Sequence, residues 1–256
     1  MEKFGKSQSV KRTEDMRFLT GEGRYVDDIT PSGALFGYVF RSSVAHGDIT
    51  ELNVEDARQA EGVALVLTSS DLEAMDVGLM MQATILQNRD GTRAAAPDRP
   101  VLAKGRVRFV GEAVAMVFAQ TYQQAKDAAE LIDFECEDLP VHMDVRVGGT
   151  PLHAEAPENR AFDWGLGDEA GCDAALSDAA HVVKCVVEDN RVIVNSMEPR
   201  GCHAEWDGAR VHLAMNGQGV WAPKAQLAKH MRMEPENVRV TNPDTGGGFG
   251  MTAMMY

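Results

Sequence analysis

The sequence predicts an α+β protein built in two successive pieces, and three observations carry that prediction. Short apolar runs alternate with single helical stretches over roughly the first 120 residues after the N-terminus, a pattern of sheet packed with helix. A stretch dense in Gly, Pro and acids, VRVGGTPLHAEAPENRAFDWGLGDE (145–169), then breaks the alternation. Beyond it a second set of strands and helices runs into a glycine loop, TGGGFG (245–250).

The elements are expected in the following order. ALFGYVF (34–40) and GVALVLT (62–68) read as short, largely buried strands, with VEDARQA (54–60) helical between them. Ser70 or Asp71 caps a further helical turn at DLEAM. Residues 76–99 read as a long loop. VRFVGEAVAMVF (107–118) reads as two strands around a Gly-Glu turn. In TYQQAKDAAELIDFEC (121–136), Thr121 is the expected N-cap, and Ala125, Ala128, Leu131 and Ile132 form an apolar stripe. After the break come a helix at 172–180 and strands at HVVKCVVED (181–189), RVIVN (191–195) and RVHLAMN (210–216). A helix at about 221–232 holds Pro223 in its first turn, where no donor is lost, and ENVRVTN carries a strand into the glycine loop.

Bulk properties narrow the function classes. The 256-residue chain carries a net charge of −14 with its acids scattered, which disfavours nucleic acid and anionic membrane surfaces. No apolar run approaches the ~20 residues of a membrane helix, and the N-terminus lacks a signal-peptide core, so a cytoplasmic location is expected. Cys136, Cys172, Cys185 and Cys202 are too widely spaced for zinc or an iron–sulfur cluster and read as small buried hydrophobes. Any redox chemistry must therefore pass its electrons to another domain or chain.

The glycine loop fits neither standard phosphate template. No acid can follow ~20 residues after a G-x-G-x-x-G, and Gly250 precedes Met251 and Thr252 rather than Lys-Ser/Thr. Gly246, Gly247, Gly248 and Gly250 permit positive φ and close backbone approach. On the loop alone, a tight turn and an anion-binding concavity both stand.

The ordered blocks KRTEDMRFLTGEGRYVDDI (11–29), FRSSVAHGDI (40–49), VRFVGEAVAMVFA (107–119), NRVIVNSMEPRG (190–201), NGQGVW (216–221) and TGGGFG together resemble the molybdenum hydroxylases. This family comprises xanthine dehydrogenase, aldehyde oxidase and aerobic carbon monoxide dehydrogenase, and the resemblance is to the N-terminal part of the molybdopterin-binding large subunit. It implies an α/β hammerhead domain over residues 15–140, followed over 150–256 by the beginning of the molybdopterin-binding domain. It further implies that Gln218 hydrogen-bonds an oxygen ligand of molybdenum, and that Gly247, Gly248, Phe249 and Gly250 bring backbone against metal and pterin. No residue here is implied as a direct metal ligand.

The same resemblance implies a Mo-molybdopterin cofactor in dinucleotide form, with iron–sulfur clusters and FAD on partner subunits or domains. Such enzymes insert a water-derived oxygen into a C–H bond of an aldehyde or N-heterocycle, or oxidise carbon monoxide. Their catalytic glutamate and substrate loops lie in a later half, so this chain is expected to need that half, as continuing chain or as split partner. A non-catalytic remnant acting as an interaction module is the alternative, and an unrelated phosphate-binding module is a third reading. Two positions depart from the family: Thr252 stands where Lys is frequent, and Ala253 where purine oxidisers carry Glu. Glu198 and Arg200 are expected as a buried supporting arrangement, His46 as a packed or hydrogen-bonded histidine, and Asp27 and Asp28 as loop anchors.

Overall fold

A computed structural model describes residues 9–80, 86–190 and 192–253. The chain divides into two compact units. The larger comprises mainly Gly33–Val192, and the smaller comprises Ile193–Lys229 and Met233–Met255 with the described residues of Met1–Ser32. The larger unit thus includes the Gly/Pro-rich break and the residues after it.

In the larger unit, β1 (Phe36–Arg41), β2 (Gly47–Asn53), β3 (Val63–Leu67), β4 (Arg106–Val107), β5 (Ala113–Ala119) and β6 (Asp133–Asp138) form two three-stranded sheets. Their orders are β1-β5-β3 and β4-β2-β6, and every pairing is antiparallel. Among the described residues four helices accompany them: α1 (Glu55–Gln59), α2 (Ser69–Ala74), α3 (Tyr122–Ala129) and α4 (Glu169–Asp178).

The strand AVAMVFA becomes the centre of its sheet because it is apolar at nearly every position, so both faces can be covered. Val114, Ala115, Val117 and Ala119 are fully buried. On one face α3 presents Ala125, Ala128 and Ala129, whose small side chains admit a close helix–sheet contact. Val114 joins Ala103, Val107, Phe40, Ile49 and Phe134 in a second cluster. There the Phe40 and Phe134 rings meet edge to face with centroids 5.7 Å apart.

Several expectations need correction here. β1 and β3 flank β5 rather than being largely buried: β1 has no buried residue, and β3 buries only Val66. The cap of α2 is Thr68, with Asp71 completing a capping box from inside the helix. Thr121 does cap α3 by accepting from the Gln124 N–H at 3.2 Å. However, that helix stops at Ala129, so Leu131 falls off the stripe and is 48% exposed while Ile132 is buried. Strands β2 and β6 were not expected. α4 starts earlier than expected, at an Asp168 cap accepting from the Gly171 N–H.

HVVKCVVED is not a strand, nor are residues 192–195 of RVIVN; Arg191 lies outside the described residues, as do 81–85 of the expected loop. A strand exists only where a neighbour pairs with its N–H and C=O groups, and among the described residues neither run has one. Of the cysteines expected to be buried, Cys172, Cys185 and Cys202 are exposed and Cys136 is half-buried. Cys202 nonetheless lies in the strand Cys202–Trp206, where burial raises its thiol pKa above the ordinary value.

In the smaller unit, β7 (Cys202–Trp206), β8 (Val211–Met215) and β9 (Val238–Thr241) make one sheet in that order. β7 runs antiparallel to β8, and β9 runs parallel to it. A parallel neighbour requires a crossover, which α5 (Trp221–His230) supplies. Leu213, Ala228, Val238 and Val240 bury the junction of helix and sheet. β7 was not expected from the sequence.

Candidate cofactor cradle

This three-stranded sheet gathers three distant sequence blocks at one end. Because β8 and β9 are parallel, their following loops, NGQG (216–219) and NPDTGGGFG (242–250), leave from the same edge. Because β7 is antiparallel to β8, with Cys202 opposite Met215, the preceding MEPRG (197–201) meets them there. The carboxyl edge of parallel strands is where open sheets hold ligands.

Polar side chains fix the blocks to one another. Asn216, buried, accepts from the Gly201 N–H at 3.0 Å and donates to the Pro199 carbonyl at 2.7 Å. Asn242 donates to the Gly217 carbonyl at 2.9 Å. The Glu198 carboxylate accepts from the Gly246 N–H at 2.6 Å and from the Val26 N–H at 3.3 Å. Arg200 donates to the Met251 carbonyl from Nε at 2.9 Å and from a terminal nitrogen at 2.6 Å. Glu198 and Arg200 therefore brace opposite ends of the loop, but Arg200 is exposed, not buried as expected.

Farther back, Asp244 takes a fork from the Arg17 guanidinium and the Arg24 N–H at 2.7 Å. The Arg17 hydrogen bond, joined by that backbone bond, holds the Asp244 carboxyl below its ordinary range.

The loop itself is shaped for close approach. Gly247, Phe249 and Gly250 have φ of +114°, +48° and +84°. A phenylalanine in that left-handed region is uncommon, and its ring is 78% exposed. A Cβ on Gly246 would lie 2.6 Å from the Glu198 Cβ, and one on Gly248 would lie 2.7 Å from the Gln218 Cγ. Each glycine presses on a bracing side chain, so neither position tolerates a larger residue without moving it.

Gln218 lies against this loop. Its Oε1 accepts from the Gly250 N–H at 2.8 Å and from the Thr252 hydroxyl at 3.4 Å. Both interactions engage the carbonyl end of the amide. The structure therefore brings together all five sequence-expected residues: Gln218, Gly247, Gly248, Phe249 and Gly250.

Elsewhere, His46 is buried and its Nδ1 lies 2.7 Å from the Pro140 carbonyl oxygen, the packed role expected of it. Asp28 accepts from the Tyr25 N–H at 2.9 Å and so closes a helical turn. Among the described residues no cluster of three or more His, Cys, Asp or Glu is arranged to hold a metal.

Sequence reasoning missed Asn216 and Asn242, although both stand beside quoted blocks, because an asparagine near glycine reads equally as a turn residue. It also missed a cleft of about 440 Å³ lined by His203, Glu205, His212, Thr241 and Asn242. There His212 contacts Thr241 Oγ1 at 2.8 Å through Nε2 and Glu205 at 3.3 Å through Nδ1.

Two family profiles match successive parts of the chain. Residues 20–140 match the α/β hammerhead domain of aldehyde oxidase and xanthine dehydrogenase, and residues 152–256 match a molybdopterin cofactor-binding domain. The chain belongs to the molybdenum hydroxylase family. It matches the N-terminal part of that family's large subunit.

The nicotine 6-hydroxylase large subunit of Paenarthrobacter nicotinovorans is 38% identical over 252 residues, covering 96% of this chain and 30% of that one. The structure of carbon monoxide dehydrogenase from Oligotropha carboxidovorans superposes with a TM-score of 0.83 at 30% identity, covering 98% of this chain and 32% of that one. Quinoline 2-oxidoreductase from Pseudomonas putida 86 gives 0.75 at 33% identity, covering 96% and 31%. The chain thus spans about a third of the length of these molybdenum hydroxylases.

The residues present fit a molybdopterin. The Ser196 hydroxyl is buried beside Gly247 and has no hydrogen-bond partner among the described residues. Gly247, Gly248 and Phe249 lie between two N–H groups already taken by Glu198 and Gln218. Their own N–H groups and the Gln218 amide suit an anionic, oxygen-rich group.

Proposed function

We propose that this chain supplies one wall of the cofactor site of a molybdenum-dependent hydroxylase or dehydrogenase. Gln218, Gly247, Gly248, Phe249 and Gly250 would hold Mo-molybdopterin in a dinucleotide form. The bound group supplies two-electron oxidation with a water-derived oxygen, acting on an aldehyde, an N-heterocycle or carbon monoxide. Iron–sulfur and FAD subunits carry the electrons onward, and the remaining large-subunit region supplies the base and the substrate loops. The polypeptide by itself is inactive, since a site formed from two halves needs both.

The observation that carries this reading is the seating of Gln218 against the glycine loop, with its carbonyl engaged by Gly250 and Thr252. Thr252 also bears on the remnant alternative. It is buried and its hydroxyl serves Gln218, so the departure from lysine is accommodated within the cradle. Gln218 orients the cofactor by donation, the glycines exclude side chains from its approach, and Glu198 and Arg200 keep the loop in place.

The test is to purify the large-subunit assembly from its source through a tag on this chain, then measure pterin and molybdenum. Near one of each per assembly is expected. Gly248→Ala, which drives a Cβ into Gln218, should cut both at least tenfold while the assembly persists. An intact assembly without pterin would refute the proposal.

A further inference from the structure

We infer that residues 181–189, HVVKCVVED, are an interaction surface for a β-strand supplied by the part of the large subunit that this chain does not span. This rests on the proposed reading of the chain as one portion of a cofactor-binding subunit. The run carries four β-branched valines in seven residues. In a pleated strand Val183, Cys185 and Val187 would share one face, and Val182, Lys184, Val186 and Glu188 the other. That is one apolar face and one mixed face, the pattern of a strand covered on one side.

In the structure this pattern is unused. Val183, Val186 and Val187 are 90%, 92% and 80% exposed, and no described strand pairs with the run. Valine side chains cluster like this on a surface chiefly where something covers them.

The occupant follows from length and charge. Relatives are about three times as long as the stretch this chain matches, so in them other chain is available to pair here. A second copy is disfavoured because each copy carries −14. The pairing would be β-augmentation: main-chain hydrogen bonds give the affinity, and the Val183/Cys185/Val187 face gives the register.

Cys185 provides a built-in probe, being exposed here. In the tagged assembly purified from source, with its large-subunit polypeptides identified by mass, backbone exchange over 181–189 should slow at least 100-fold relative to the 256-residue chain alone. Alkylation of Cys185 by iodoacetamide should slow at least tenfold. The double variant Val183→Asp/Val187→Asp alters only exposed side chains. It should therefore leave the urea midpoint of the chain alone unchanged while lowering recovery of the remaining large-subunit region at least tenfold. An assembly that holds pterin while 181–189 still exchanges freely overturns the inference and leaves the proposed function standing. Failure to recover any further large-subunit region or pterin overturns both. Protection already present in the isolated chain and lost on dilution means pairing between copies, and overturns the inference as well.

Discussion

AVAMVFA (113–119) and HVVKCVV (181–187) are similar strings to any rule of strand propensity, yet they end differently. The first becomes β5, hydrogen-bonded on both sides by β1 and β3, with Val114 and Val117 fully buried. The second forms no strand, and Val183 and Val187 stand in solvent. Propensity describes what a run tolerates, and a neighbour decides whether it becomes a strand. The neighbours of β5 lie within the same unit and are fixed by its register. A neighbour for 181–187 is not among the described residues.

Substitution should separate the two runs. Val117→Asp places an unpaired carboxylate among Ala125, Ala128 and Val66, and should destabilise the larger unit by about 4 kcal/mol or more in urea unfolding. The same change at Val187 should cost the isolated chain less than about 0.5 kcal/mol. Comparable losses at both sites would mean that 181–187 is already packed.

The cradle lies between these extremes, since its loop is held by polar braces rather than by packing. Glu198→Ala leaves the Gly246 N–H without its acceptor and should loosen the loop by about 1–3 kcal/mol, read as faster exchange at Gly246 and its neighbours. The core around β5 should not respond.

The smallest effect concerns pH. Asp244 titrates below its ordinary range because Arg17 and the Arg24 N–H bind the charged form. Its folded pKa is thus lower than its unfolded one. The contribution is complete above the unfolded value, about 3.9, and is lost as pH falls through the folded value. Loop exchange should be indifferent to this group from pH 5 to 8 and should rise below about pH 4. Asp244→Asn should remove that dependence, and a change near neutrality would point to another group.

How much was legible depends on how local each cause is. The Thr121 cap, the alanines of α3 and the tolerance of Pro223 were readable because cap, stripe and first turn are set within a few residues. Strands β2, β6 and β7 were not, because GDITELN, DFECED and CHAEW carry too many polar residues to announce a buried face. Their partners, not their own composition, make them strands. The site residues were legible as ordered blocks, while Asn216 and Asn242 gained meaning only from the carbonyls and N–H groups they meet.

The sequence alone therefore determined the α+β class, the family and the glycine loop that can lie against a ligand, because these reside in residue type and order. Tertiary structure decided the rest. One parallel and one antiparallel pairing bring MEPRG, NGQG and TGGGFG to the same end of a three-stranded sheet. Strand direction is a property of paired chains, and no single block contains it. The same physics leaves HVVKCVVED unpaired: backbone donors and acceptors form a sheet only where a second strand meets them.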